Sequence, residues 1–141
     1  MKIAARSDNY QVLVNDEVVL LKQNFSGSRP IKIGKFIGAS NCGLISSDEK
    51  YAFVGGYGLM VINIDNLLNN IEGNPKKSIR IYFRDENKKF WINKIWQDES
   101  GDEQTFCFAS NLKQYCFNVN EASLYEIGSQ ALETKKTKTT A

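Results

Sequence analysis

A chain of 141 residues, 42% apolar and 24% charged, is one domain's worth of ordinary globular sequence, which argues against wholesale disorder. Its net charge of +2 owes much to Lys135-Lys136-Thr137-Lys138; the remainder carries 15 Lys and Arg against 16 Asp and Glu, too even a balance for a nucleic-acid-binding face. With no histidine and only three cysteines, Ser-His and Cys-His nucleophile pairs are excluded, and the common four-ligand zinc sets are missing.

The opening Met1-Lys2-Ile3-Ala4-Ala5-Arg6 is charged but runs straight into Ser7, Asp8 and Asn9. No secretory signal is read there, and the expected compartment is the cytoplasm. Short runs of Val, Ile, Phe and Tyr then alternate with Asn, Asp, Gly and Ser, the pattern of strands and turns. Tyr10 to Val14 and Val18 to Lys22 flank a tight turn containing Asn15-Asp16, and Ile31 to Ile37 follows as a strand. Tyr51 to Val54 and Tyr57 to Ile64 flank Gly55-Gly56, read as a second tight turn. The near-apolar stretch Leu59 to Ile64 is too short to span a bilayer, so no membrane partner is expected. Asp65 to Gly73 reads as the one helix, with Asp65 as N-cap, Leu67, Leu68 and Ile71 on one face, and Gly73 and Pro75 as the stop. Ser78 to Arg84 and Phe90 to Gln97 are strands joined by a turn at Asp85-Glu86-Asn87-Lys88. Thr105 to Ala109 and Gln114 to Val119 form a third hairpin, and Ser123 to Ile127 a last strand. The fold class is therefore mainly β: antiparallel hairpins forming a β-sandwich, an open barrel or blade-like sheets, with one short helix. Residues 1–128 form one domain and 129–141 a polar tail.

A small polar loop precedes each hairpin: Ser7-Asp8-Asn9, Ser47-Asp48-Glu49-Lys50 and Ser100-Gly101-Asp102-Glu103. Loop, strand, turn and strand thus recur along the chain. The stretch Ser47 to Asp65, through Tyr-Ala-Phe-Val-Gly-Gly-Tyr-Gly-Leu-Met-Val-Ile-Asn-Ile, resembles a blade segment of LVIVD-type β-propellers. Three unequally spaced copies are too few to close a ring of about 4 to 8 blades, so the resemblance implies meandering hairpins rather than a closed propeller.

Chemistry-bearing motifs are sparse. Gly55-Gly56-Tyr57-Gly58 lacks the Lys-Ser/Thr of a P-loop and leads into a strand, so it is not a phosphate cradle. Asp85, Glu86, Asp98 and Glu99 could form a carboxylate pair, but acidic turn residues are usually plain solvated loops. If Asn111-Leu112 is a two-residue turn, Cys107 lies opposite Cys116, Phe108 opposite Tyr115 and Phe106 opposite Phe117. Buried thiols are favoured there over a redox pair. Trp91 and Trp96 share one strand, and strict alternation puts Phe90, Ile92 and Trp96 on one face, Trp91 and Ile95 on the other. A doubly buried central strand is the favoured reading, with an interface anchor as its rival. Asp98-Glu99-Ser100-Gly101-Asp102-Glu103 is the most distinctive polar feature, and lacks the alternating oxygen spacing of a calcium loop.

No catalytic set, metal or cofactor emerges, and the expected role is non-catalytic protein binding. In size and overall character the chain resembles bacterial immunity proteins, including those of contact-dependent growth inhibition. That resemblance implies a cognate, basic toxin as partner, whose active site the protein covers. Candidate contacts are Asp98, Glu99, Asp102 and Glu103 toward a cationic cleft, with Trp91, Trp96 or Tyr115 as desolvated anchor. The alternatives are a ligand- or carbohydrate-binding β domain and a structural β module.

Overall fold

The computed structural model describes residues 1–36, 40–69, 78–83, 90–97, 105–119 and 123–129. They form three antiparallel sheets, each a four-stranded meander in chain order. Sheet one contains β1 (Lys2–Arg6), β2 (Tyr10–Asn15), β3 (Val18–Gln23) and β4 (Ile31–Lys35). Sheet two contains β5 (Ser40–Ile45), β6 (Tyr51–Gly56), β7 (Gly58–Asn63) and β8 (Ile79–Tyr82), with helix α1 (Ile64–Asn69) after β7. Sheet three contains β9 (Ile92–Gln97), β10 (Thr105–Ser110), β11 (Lys113–Asn118) and β12 (Ser123–Ser129). Among the described residues the sheets are open and do not close into a barrel.

The three hairpins legible in the sequence are the central strand pairs β2–β3, β6–β7 and β10–β11, one in each sheet. Turn chemistry fixes two of them. Asn15 pairs with Val18 around Asp16, whose φ is 55°. Asn111 and Leu112 both have positive φ, 51° and 67°, as a type I′ turn requires. That turn sets the register Phe106–Phe117, Cys107–Cys116 and Phe108–Tyr115, as its two-residue geometry predicts.

The second hairpin reverses elsewhere than expected. Gly55 and Gly56 belong to β6, pairing with Leu59 and Gly58, and the chain turns at Tyr57. Gly58 supplies the positive φ, 90°. Gly55 serves packing instead: a Cβ there would lie 2.7 Å from Ile92 and 2.9 Å from both Cys42 and Ile95. The helix also differs. Asn63, not Asp65, is its cap, accepting the Asn66 N–H at 3.0 Å through Oδ1, and the described helix ends at Asn69. The expected stop at Gly73 and Pro75 lies outside the described residues.

Period-two alternation makes sheet two the middle layer, buried on both faces. Ala52, Val54, Met60 and Ile62 join Ile45 in a core with Val12, Val14, Val19, Leu21 and Ile33 of sheet one. Phe53, Leu59 and Val61 face the other way, onto Ile92, Ile95, Phe106, Phe108 and Phe117. Each such side chain contributes about 1.5–3 kcal/mol when fully buried. Peeling sheet one off Ile45, Val54, Met60 and Ile62 would therefore cost on the order of 10 kcal/mol, as much as a small domain's whole stability. Sheets one and two are therefore held together by this shared core.

Their first strands come closest. β5 lies beside both β1 and β9, and Gly43 permits the first approach, since a Cβ there would sit 2.8 Å from the Ala4 carbonyl oxygen. β1 and β5 were absent from the sequence-level strand assignment for this reason: close packing selects Ala and Gly, which carry no strand signature.

Cys107 and Cys116 are joined by a disulfide across β10 and β11. Both are buried, 3% exposed, as the packing reading required, but as one bridged pair rather than two thiols. Alkylation of the oxidised protein, denatured and unreduced, should label Cys42 alone, with two further labels after reduction. Gly43→Ala and Gly55→Ala should each destabilise by about 1–3 kcal/mol in denaturant titration, because the neighbouring backbone or packed isoleucines must move.

Candidate binding surfaces

In a meander the central hairpin turns and the connections between sheets fall at one end, while the remaining loops fall at the other. The chain therefore presents two ends of different chemistry.

At the hairpin end, Tyr57 and Trp91 form an isolated antiparallel bridge, and Gly58 N–H donates to the Phe90 carbonyl at 2.8 Å. These bonds tie the segment entering β9 to the β6–β7 turn. The Phe90 ring turns inward, 4.6 Å from Tyr115 and 5.5 Å from Phe108, centroid to centroid, so the backbone beside it is well anchored. Trp91 and Tyr57 point outward, 40% and 36% exposed. With Phe90 and Asn111 they line a depression of about 250 Å³. Leu112, in the turn that Asn111 opens, is 65% exposed. Its left-handed backbone is a conformation that suits Gly or Asn and costs a branched side chain about 1–2 kcal/mol.

The opposite end is held by polar contacts. Glu49 accepts hydrogen bonds from the Ser7 hydroxyl, from Asn9 N–H at 3.0 Å and from Asn9 Nδ2 at 2.7 Å. Ser47 N–H donates to Gln97 Oε1 at 2.8 Å. The polar loop of sheet one is thus latched to that of sheet two, and sheet two to the end of β9. The Ser7 and Asn9 hydrogen bonds hold the Glu49 carboxyl below its ordinary range. Burial, with Glu49 and Asp65 adding smaller effects, raises the Tyr10 phenol.

Cys42 lies between sheets two and three, where burial pushes its thiol up to about 11 against weaker opposing effects from Gly55 and Lys2. A thiol so raised is almost wholly protonated near neutrality and is a poor nucleophile. Among the described residues no group of His, Cys, Asp or Glu side chains could hold a metal ion, and no helix is long and apolar enough to cross a membrane.

The aromatic residues singled out in the sequence do not share a surface. Trp91 is at the exposed hairpin end. Trp96 lies half-buried opposite Cys107, with Lys94 Nζ 5.7 Å from its ring centroid. The half-buried Tyr115 stacks on Phe108 between sheets two and three, at 5.4 Å. Asp98, Glu99, Asp102 and Glu103 lie outside the described residues, in the segment that follows the far end of β9 from Trp91. The expected alternation along β9 also fails. The register skips Asn93, with Lys94 opposite Ala109 and Ile92 opposite Ser110, so Ile92 and Ile95 both enter the second core. β9 is an edge strand rather than a central one, and Asn93 and Lys94 are exposed.

Sequence reasoning passed over Tyr57 and Leu112. In the sequence Tyr57 reads as the start of a strand and Leu112 as an ordinary turn residue. For Leu112 the available signal was a large apolar side chain where a two-residue turn favours glycine.

No protein-family model matches the chain, and no curated protein matches it either.

The depressed Glu49 carboxyl makes the polar latch pH-dependent. A lowered folded-state pKa gives stability that is present above the unfolded pKa and is lost as pH falls through the folded one. Glu49→Gln should therefore lower stability near neutrality, by no more than about 1 kcal/mol at so accessible a site. Wild type and variant should converge as the pH drops below the carboxylate range, read from paired thermal melts across pH.

Proposed function

We propose that this chain is a non-catalytic protein-binding module of the toxin-immunity type, which grips its partner through the end formed by Tyr57, Trp91 and Leu112. One observation carries the reading: two aromatic rings and a leucine, drawn from two sheets, stand exposed on backbone that is itself firmly held. Tryptophan and tyrosine dominate binding hot spots because they bury large areas while losing few rotamers. The left-handed Leu112 adds to this, since a costly backbone carrying an outward apolar side chain is better explained by a contact than by folding. The depression beside them is smaller than most small-molecule sites, which favours a protein surface as occupant.

The toxin-immunity form rests on overall character: a small β chain with rigidly mounted anchors. The acidic residues Asp98, Glu99, Asp102 and Glu103 would act separately from the aromatic end, steering a basic partner during encounter. Cytoplasmic residence belongs to the proposal and stands in tension with the Cys107–Cys116 bridge, because disulfides persist chiefly in oxidising compartments. In the cytoplasm that pair would be held as two thiols.

The test begins with the adjacent gene, which should encode a secreted toxin whose expression arrests growth. Co-expression of this chain should restore growth. Trp91→Ala and Tyr57→Ala should each abolish rescue at unchanged melting temperature, losing about 2 kcal/mol or more of affinity through faster dissociation. Leu112→Gly should weaken the complex while stabilising the free protein by about 0.5–1 kcal/mol. Charge reversal at Asp98 and Glu99 should instead slow association and flatten its salt dependence. Rescue that survives loss of both Trp91 and Tyr57 would refute the aromatic end as the contact, and a neighbour without toxicity would remove the immunity reading.

A further inference from the structure

The second end of sheet two carries polar groups where its alternation calls for apolar ones. On the face turned toward sheet three, β7 presents Leu59, Val61 and Asn63. β8 pairs Tyr82 with Leu59 and Arg80 with Val61, so Tyr82 and Arg80 share that face, and Ser78 lies one alternation further on. Leu59 and Val61 belong to the core. Beyond them Asn63, Ser78 and Arg80 replace hydrophobic cover and line a cavity of about 300 Å³ with Tyr51, Asn66 and Tyr82.

Two features of this cavity are unexplained by folding. Ser78 is only 4% exposed, yet its hydroxyl has no hydrogen-bond partner. Buried hydroxyls without partners are costly, and in native proteins they commonly mark a missing ligand or water. Arg80, two residues on and exposed at the cavity mouth, pairs with no described carboxylate. The Asn63 side-chain oxygen is occupied in capping α1, which leaves its NH₂ as a donor.

We propose that this cavity binds a small hydroxylated carboxylate of the sugar-acid class. The Arg80 guanidinium matches a carboxylate with two parallel N–H donors. The Ser78 hydroxyl and the Asn63 amide serve hydroxyl groups. The Tyr51 and Tyr82 rings offer apolar faces with polar tips, as a pyranose ring requires. The volume is at the lower limit for small-molecule sites and fits a single-ring ligand. This site lies toward the end of sheet two opposite Tyr57 and is independent of the protein-binding surface there.

The experiment is an NMR titration of the full ¹⁵N-labelled chain with glucuronate, glucose and inorganic phosphate. Glucuronate should shift the backbone signals of Asn63, Ser78 and Arg80 in a saturable way. Glucose, which has the ring without the carboxylate, and phosphate, which has charge without the ring, should each bind at least about tenfold more weakly. Arg80→Gln should weaken glucuronate binding by about tenfold or more. Ser78→Ala should weaken it as well while leaving the melting temperature unchanged or raised, because the variant deletes an unpaired buried hydroxyl; a structural role for Ser78 would instead lower it. Absence of any glucuronate shift, equal binding of glucose or of phosphate, or indifference to Arg80→Gln would each overturn the assignment.

Discussion

The close approach of neighbouring sheets at their first strands is the constraint on which this architecture rests. Gly43 lets the backbone of β5 settle against Ala4 of β1, and Gly55 lets β6 accept Ile92 and Ile95 from β9. At these points there is no room for a side chain: β5 meets the Ala4 backbone of β1, and β6 meets the Ile92 and Ile95 side chains of β9. That contact brings both faces of sheet two within reach of a partner layer, and the two cores follow from it. A wider spacing would leave voids behind Val54 and Phe53, and voids forfeit both transfer energy and dispersion contacts.

A middle sheet buried on both sides is a rigid mount. The second core is mainly aromatic, with Phe53 and Phe106 centroids 4.3 Å apart and Tyr82 and Phe117 4.8 Å apart. Rings in such contact have few alternative packings, so the β6–β7 and β10–β11 turns keep a fixed relative position. Tyr57 and Leu112, which those turns carry, therefore reach a partner with little ordering left to do. Preorganisation of this kind favours affinity by reducing what association must immobilise. The hydrogen-bonded latch through Glu49 and Gln97 steadies the opposite end by a different means.

The disulfide and the thiol divide the chain's sulfur chemistry by location. Cys107 and Cys116 face each other across one strand pair, a relation set by a two-residue turn. Cys42 sits between sheets, where low polarity keeps it protonated and its sulfur contacts the carbonyls of Gly55 and Ile92 at 3.8 Å. It packs as a small hydrophobe beside the glycine that makes the interface possible.

The sequence by itself determined what depends on near neighbours. Composition ruled out imidazole chemistry, turn residues located the β2–β3 and β10–β11 hairpins, and the two-residue turn at Asn111-Leu112 placed Cys107 opposite Cys116. These outcomes are local because a tight turn fixes register over the few residues on either side. Tertiary structure alone decided the rest. Ala4 and Gly43 look unlike strand residues until a second backbone is seen against them, and Gly55 looks like a turn until Ile92 and Ile95 are placed over it. The bulge at Asn93 redirected the tryptophan strand, and only the packing of separate sheets settled that Trp91 and Tyr57 meet in the open while Tyr115 turns inward. Contacts between sheets join residues far apart in the chain, and no periodicity within a strand records which layer will lie across from it.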